Sequence, residues 1–341
     1  MTYVVPGPVL QGGLARVDDM LAAYAARQSA DDPLSGLVVG ELPDREIPVG
    51  WARVRVKAAA LNHHDIWSLR GVGLAGDRLP MILGCDAAGV DDDGNEVIVH
   101  AVIASPGWSG DETLDPRRSL LSELYQGALA EQVVVPRHNL VPKPAGLSWE
   151  QAACLPTAWL TAYRMLFTNS GVAPGGLVLV QGAAGGVATA LVQLASAAGI
   201  RVWVTSRDVA KGEAAVALGA ERAFESGERL PERVDAVLET VGAATWSHSI
   251  NALRPGGRIV ISGATSGDAP AKAELTRIFF KQLSVVGSTM GTKEELSRLA
   301  AFVVTAGIEP RIDSVRPLAQ AADGFAAMMA GQVAGKVVFT V

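Results

Sequence analysis

Residues 178–205 constrain the fold of this 341-residue chain more than any other stretch. Val178-Leu179-Val180 is a short apolar run, and Gln181-Gly182-Ala183-Ala184-Gly185-Gly186 is a turn of mostly tiny residues. Ala190-Leu191-Val192-Gln193-Leu194-Ala195 then carries apolar residues at helical spacing. A second strand, Arg201-Val202-Trp203-Val204-Thr205, arrives directly after Gly199 and Ile200. Strand, glycine-rich turn, helix and strand make a complete βαβ unit, the context in which such a turn binds a dinucleotide. Gly and Ala let the main chain approach a pyrophosphate, and the helix N-terminus meets its charge. The small Ala188 lets the helix pack on its strand. Ala183, Ala184, Gly185, Gly186 and Val187 are therefore candidate cofactor-binding residues. A purely structural glycine turn in another α/β fold is the alternative reading.

The end of the second strand selects the cofactor. A carboxylate there would bind the ribose 2′-hydroxyl of NAD. The chain instead has Ser206-Arg207, with Lys211 one helical turn on. A hydroxyl and two cations suit a 2′-phosphate, so NADP(H) is expected, and Asp208 reads as the cap of the next helix.

From about residue 176 the chain alternates strand and helix, which implies a doubly wound parallel sheet with helices on both faces. Val241, Gly242, Gly263 and Thr265 follow strands of that sheet, and ligands of open α/β sheets sit at strand carboxyl ends. Before this region the pattern is short β segments, such as the alternating Trp51-Ala52-Arg53-Val54-Arg55-Val56. Strand patterns return at 312–315 and 336–341, so the first domain is expected to be discontinuous. The expected division is an N-terminal extension over 1–19, a β-rich catalytic domain over 20–152 and 301–341, and a nucleotide-binding domain over 153–300.

The bulk properties narrow the partners. A net charge of −6 without a long basic run excludes nucleic acid as the expected ligand. No apolar run reaches membrane-spanning length. The first residues lack the charged segment of a secretory signal, and the two cysteines, Cys85 and Cys154, are too few for a disulfide framework. A cytoplasmic enzyme acting on a small molecule is expected.

Several ordered segments together resemble the medium-chain dehydrogenase/reductase superfamily. They include Ala60-Leu61-Asn62-His63-His64-Asp65-Ile66-Trp67, Leu83-Gly84-Cys85-Asp86-Ala87-Ala88-Gly89, Thr157-Ala158-Trp159-Leu160-Thr161-Ala162-Tyr163, and Asp235-Ala236-Val237-Leu238-Glu239-Thr240-Val241-Gly242. The likeness spans about 20–341 and is nearest to the zinc-independent quinone oxidoreductase-like branch. It implies an α/β Rossmann domain beside a GroES-like domain, and NADPH-dependent reduction of a quinone, enone or other activated alkene. It also implies a homodimer through an edge strand at Val285-Val286-Gly287-Ser288. Zinc-dependent members use a Cys–His–Cys set. By motif those positions fall at Asn62, Cys85 and Thr157, and residues 101–135 hold no cysteines for a structural lobe, so no metal is expected. A site improvised from His63, Cys85 and Asp86, with His64 spare, matches no ligand spacing.

Without a metal, hydrogen bonds must stabilise the developing oxyanion. The resemblance makes Asn62, His63 and His64 the catalytic candidates. Asn62 would donate to a substrate oxygen, His63 would lie near the cofactor phosphates, and His64 would relay a proton. Structural roles are the alternative for each histidine. Asp65 reads as structural, Cys154 as core, Trp67 and Trp159 as walls of an apolar pocket or as core, and His138 and His248 as surface residues. Two rival functions remain. One is a zinc-dependent alcohol dehydrogenase. The other is a low-turnover NADPH-binding sensor or interaction protein.

Overall fold

The computed structural model describes residues 19–341. The expected extension therefore lies almost wholly outside the described residues. Leu177–Val180, Arg201–Ser206, Arg222–Glu225, Val234–Glu239, Leu253–Ile261 and Ser284–Gly287 form a six-stranded, fully parallel sheet. Numbering these strands in chain order, the spatial order is 3-2-1-4-5-6, that of a doubly wound dinucleotide-binding fold. The order reverses between Leu177–Val180 and Val234–Glu239, which opens a crevice at their carboxyl ends. Leu177, Val178, Leu179 and Val180 are all buried, as a central parallel strand covered on both faces requires. Gly186–Ala197 is the helix of the βαβ unit, and its Ala188, Leu191, Val192 and Ala195 are buried in the same core.

A second, seven-stranded sheet is built around Trp51–Ala60, whose alternating pattern buries Ala52, Val54 and Val56. Asp86–Asp91 and Gln132–Pro136 pair with this strand, and so does Lys336–Thr340 from the far end of the chain. Ile312–Pro317 pairs in turn with Lys336–Thr340. The α/β class and the pairing of a Rossmann sheet with a β-rich GroES-like unit are as expected.

The strand Trp51–Ala60 delivers the site. It runs through buried Ala58, Ala59, Ala60 and Leu61 straight into the helix His63–Leu69. That helix starts with a capping box. Asp65 Oδ2 accepts the Asn62 backbone N–H at 2.9 Å, and Asp65 Oδ1 accepts that of Gly84 at 2.8 Å. Asp65 thus binds the 62–65 turn to the segment that carries Cys85 and Asp86.

Candidate active site

The crevice at the switch point is a cleft of about 730 Å³. Ala183, Ala184 and Gly185 line it, with Ser206, Arg207, Lys211, Val241 and Thr265. Eight of the expected cofactor residues therefore share one cavity. Gly182 turns the chain at φ +90° and donates its N–H to Thr205 Oγ1 at 3.2 Å. Asp208 caps the helix Val209–Ala217, accepting the N–H groups of Ala210 and Lys211. Ser206 Oγ is tied into the same turn, donating to the Asp208 carbonyl at 2.7 Å. The cations at this end of the cleft are Arg207 and Lys211.

Gly242 and Gly263 do not border the cleft, contrary to expectation. Gly242 has φ +92°, and a Cβ there would stand 2.6 Å from the Gly267 carbonyl oxygen. A Cβ at Gly263 would meet the Thr240 oxygen at 3.0 Å. Gly242 is required by loop-to-loop packing, and a side chain at Gly263 would crowd the Thr240 carbonyl. Glu239, fully buried, organises this corner. Its Oε1 accepts from the backbone N–H of Val241 and Gly242, and its Oε2 from the hydroxyls of Thr245 and Ser249.

His248, expected at the surface, lines the cleft instead. Its ring is held between the Gln181 side-chain amide and the Glu228 carbonyl, both at 2.9 Å. The signal for it was its place at the start of the helix Trp246–Ala252, directly beyond a strand at the switch point.

Gly185 also lines an adjoining cavity of about 290 Å³, together with Gly186, Val187, Asn62, His63, His64, Thr157 and Lys336. Asn62 does not offer its amide to this space. Its Nδ2 donates to Asp86 Oδ2 at 2.9 Å and to the Ala60 carbonyl at 3.4 Å, and its Oδ1 accepts from Lys336 Nζ at 2.6 Å. Lys336, 2% exposed, also donates to Asp86 Oδ2 and the Leu61 carbonyl, both at 2.8 Å. Its three N–H donors have three acceptors, and the ion pair with Asp86 is wholly enclosed. Sequence reading missed Lys336, because its partners lie some 250 to 275 positions away.

The two histidines differ. His64 Nε2 faces Glu123 Oε1 at 3.1 Å, while Nδ1 lies 3.4 Å from both Cys85 Sγ and Ser122 Oγ. Burial works against charge on this ring, but Cys85, Glu123 and Asp65 together outweigh it, and the His64 pKa stands well above the ordinary histidine value. Burial raises the Cys85 thiol in turn, and the facing His64 ring acts in the opposite direction. The Cys85 thiol donates to the Leu121 carbonyl at 3.1 Å and is free to accept from Nδ1–H. His63 is exposed within the cavity, and among the described residues its ring nitrogens have no partner. Partial desolvation by the cavity walls, then the charge of Lys336, lowers its pKa, which favours the neutral ring.

Trp159 is wholly buried in the core, and neither Trp159 nor Trp67 lines this cavity. Cys154 is core as expected, its thiol pushed up to about 12 by burial. Thr157 lines the cavity, and its Oγ1 is buried without a partner among the described residues.

His64, Asp65 and Cys85 present ligand atoms within 4.8 Å of one another. Both Asp65 oxygens accept backbone N–H groups, so a metal there would compete with the capping box and the Gly84 bond.

Two family models match the chain: an alcohol dehydrogenase GroES-like domain over residues 48–145 and a zinc-binding dehydrogenase over residues 186–305. A solved NAD-dependent alcohol dehydrogenase is 35% identical, with a TM-score of 0.87, covering 94% of this chain and 100% of that one. An acryloyl-coenzyme A reductase of Sulfurisphaera tokodaii is 28% identical over 89% of this chain and 96% of its own length. A 2-octenoyl-CoA carboxylase reductase, solved with NADP and 2-octenoyl-CoA, is 25% identical with a TM-score of 0.84, covering 95% of this chain and 88% of that one. Strand order, cleft, ordered motifs and these full-length likenesses agree, and the chain belongs to the medium-chain dehydrogenase/reductase superfamily.

Proposed function

We propose that this protein is an NADP(H)-dependent oxidoreductase that passes hydride to a quinone, enone or other activated alkene or carbonyl without zinc. The observation that carries the reading is that two cavities share Gly185 in their walls. One holds Arg207 and Lys211, and the other holds the unpartnered ring of His63. A dinucleotide laid across both meets cations at its adenosine end, small residues at its pyrophosphate and an imidazole beside its reactive end. Relatives named for acryloyl and octenoyl thioesters favour an alkene conjugated to a carbonyl. The NAD-dependent relative does not alter the cofactor assignment, because Asp208 Oδ1 caps the next helix and two cations, Arg207 and Lys211, share this end of the cleft with it.

When bound, the reduced nicotinamide supplies the hydride. The chain's own contribution is orientation and polarisation. The backbone of 183–187 and the helix N-terminus receive the pyrophosphate. His63, kept neutral, donates one ring N–H to the substrate oxygen where negative charge develops. This replaces the role expected of Asn62, whose amide is committed to Lys336 and Asp86. A catalytic zinc needs three protein ligands and an open position. Asn62 faces an ammonium, Thr157 offers only a hydroxyl, and Asp65 is bound to backbone, so the donor set does not fit.

Two further expectations belong to this reading. The protein is a homodimer joined along Ser284–Gly287, and it works in the reducing cytoplasm, in keeping with its two free, buried cysteines. Calorimetric titration tests the cofactor assignment. NADPH should bind at least about tenfold tighter than NADH, a difference of about 1.4 kcal/mol, and Arg207→Asp should abolish or reverse the preference. Equal or tighter binding of NADH by the unaltered protein sinks the assignment.

A further inference from the structure

Residues 331–336 touch the nucleotide-binding side at three points. Lys211 Nζ donates to the Gly331 carbonyl at 2.9 Å. The Gly335 N–H donates to the Ala184 carbonyl at 2.9 Å, within the glycine-rich turn. The Lys336 stem lies against Gly186, where a Cβ would come within 3.1 Å of Lys336 Cδ. The same segment builds part of the substrate side. Gly331, Val333, Gly335 and Lys336 line the His63 cavity, and Lys336 holds Asn62 and Asp86 beneath it. Gly331 and Gly335 adopt φ of +67° and +114°, so the path of the segment depends on left-handed turns at both ends.

Lys211 therefore borders the cofactor cleft while gripping the first residue of a strap that walls the substrate cavity. An ammonium has three donors, and the Gly331 carbonyl uses one. Two remain for phosphate oxygens. We propose that Lys211 is a positioning residue that couples recognition of the cofactor's 2′-phosphate to the wall of the substrate cavity, through the Gly331 carbonyl and the 331–336 strap. The proposal rests on the reading of the cleft as an NADP(H) site. A phosphate beside Arg207 fixes the ammonium, and the fixed ammonium holds Gly331, which keeps the Gly335–Ala184 bond closed. A ligand without the phosphate leaves the lysine free to leave Gly331 for water.

Hydrogen exchange on the full-length protein, saturated with adenosine 2′,5′-bisphosphate or with 5′-AMP, tests this without any substrate. With the bisphosphate, exchange across 331–336 should slow about fivefold more than with 5′-AMP, as one stabilised hydrogen bond predicts. Lys211→Met should still bind the bisphosphate through Arg207, more weakly, yet lose the additional slowing at saturation. Lys211→Arg should restore it, and Arg207→Ala, once saturated, should keep it. Equal slowing by both ligands in the unaltered protein, or slowing retained in Lys211→Met, overturns the coupling and leaves the cofactor assignment standing. Failure of the bisphosphate to bind the unaltered protein at all removes the cofactor assignment and the coupling together.

Discussion

At the scale of single residues, the site is governed by what each polar group already holds. His63 and His64 are adjacent in the helix His63–Leu69, yet one ring is unpartnered and the other is bound at both nitrogens. Their titrations should lie on opposite sides of the ordinary histidine value, His63 below and His64 above. The stabilities follow with opposite signs. The contribution of His64 is full below the unfolded pKa of about 6.5 and is lost as pH rises through its raised folded value. The partial desolvation of His63 becomes a cost as pH falls from that same unfolded value towards its lowered folded one. NMR titration of the ring protons, assigned with His63→Gln and His64→Gln, measures both. Both rings titrating near the ordinary value would contradict the roles given to Lys336 and Glu123. The residue types in 62–65 were legible in the sequence as chemistry. The commitment of Asn62 was not, because it depends on a lysine 274 positions away that no local pattern links to it.

At the scale of elements, strands and helices of the nucleotide-binding sheet were legible because each is short, local and periodic, and the loops between them were legible only in part. Val241 and Thr265 reach the cleft, whereas Gly242 and Gly263 serve the contact between their two loops. Position after a strand does not distinguish these roles; the sterics of a missing Cβ do. Glu239 is the keystone of this corner, since four donors converge on one buried carboxylate. Glu239→Ala leaves those donors enclosed without an acceptor and should cost at least about 2 kcal/mol in unfolding free energy. Cofactor affinity should fall with it, because Val241 and Thr245 border the cleft. Denaturant titration alongside NADPH binding measures both. A variant as stable as the parent would show that the 240–245 loop is held by other contacts.

At the scale of the whole molecule, two features converge on the outer edge of the parallel sheet. Ser284–Gly287 is the terminal strand, with an open hydrogen-bonding edge, and Val285 is 47% exposed. Beside it the helix Leu275–Phe280 leaves Leu275, Phe279 and Phe280 exposed, an apolar surface that a symmetry mate would cover. Sedimentation at micromolar concentration should give a dimer, and Phe279→Asp with Phe280→Asp should give a folded monomer; a monomeric parent would refute the interface. Among the described residues no helix is long and apolar enough to cross a membrane. The proposed reaction uses both cavities and needs a phosphorylated dinucleotide and no metal. Its most direct test is NADPH oxidation by protein exhaustively treated with chelator and verified metal-free, assayed across a panel of enones, enoyl thioesters and quinones. The account predicts turnover with at least one of these acceptors, unchanged by chelation and strongly reduced in His63→Ala. Activity that vanishes on chelation and returns with zinc, or no turnover with any acceptor in the panel, would contradict it.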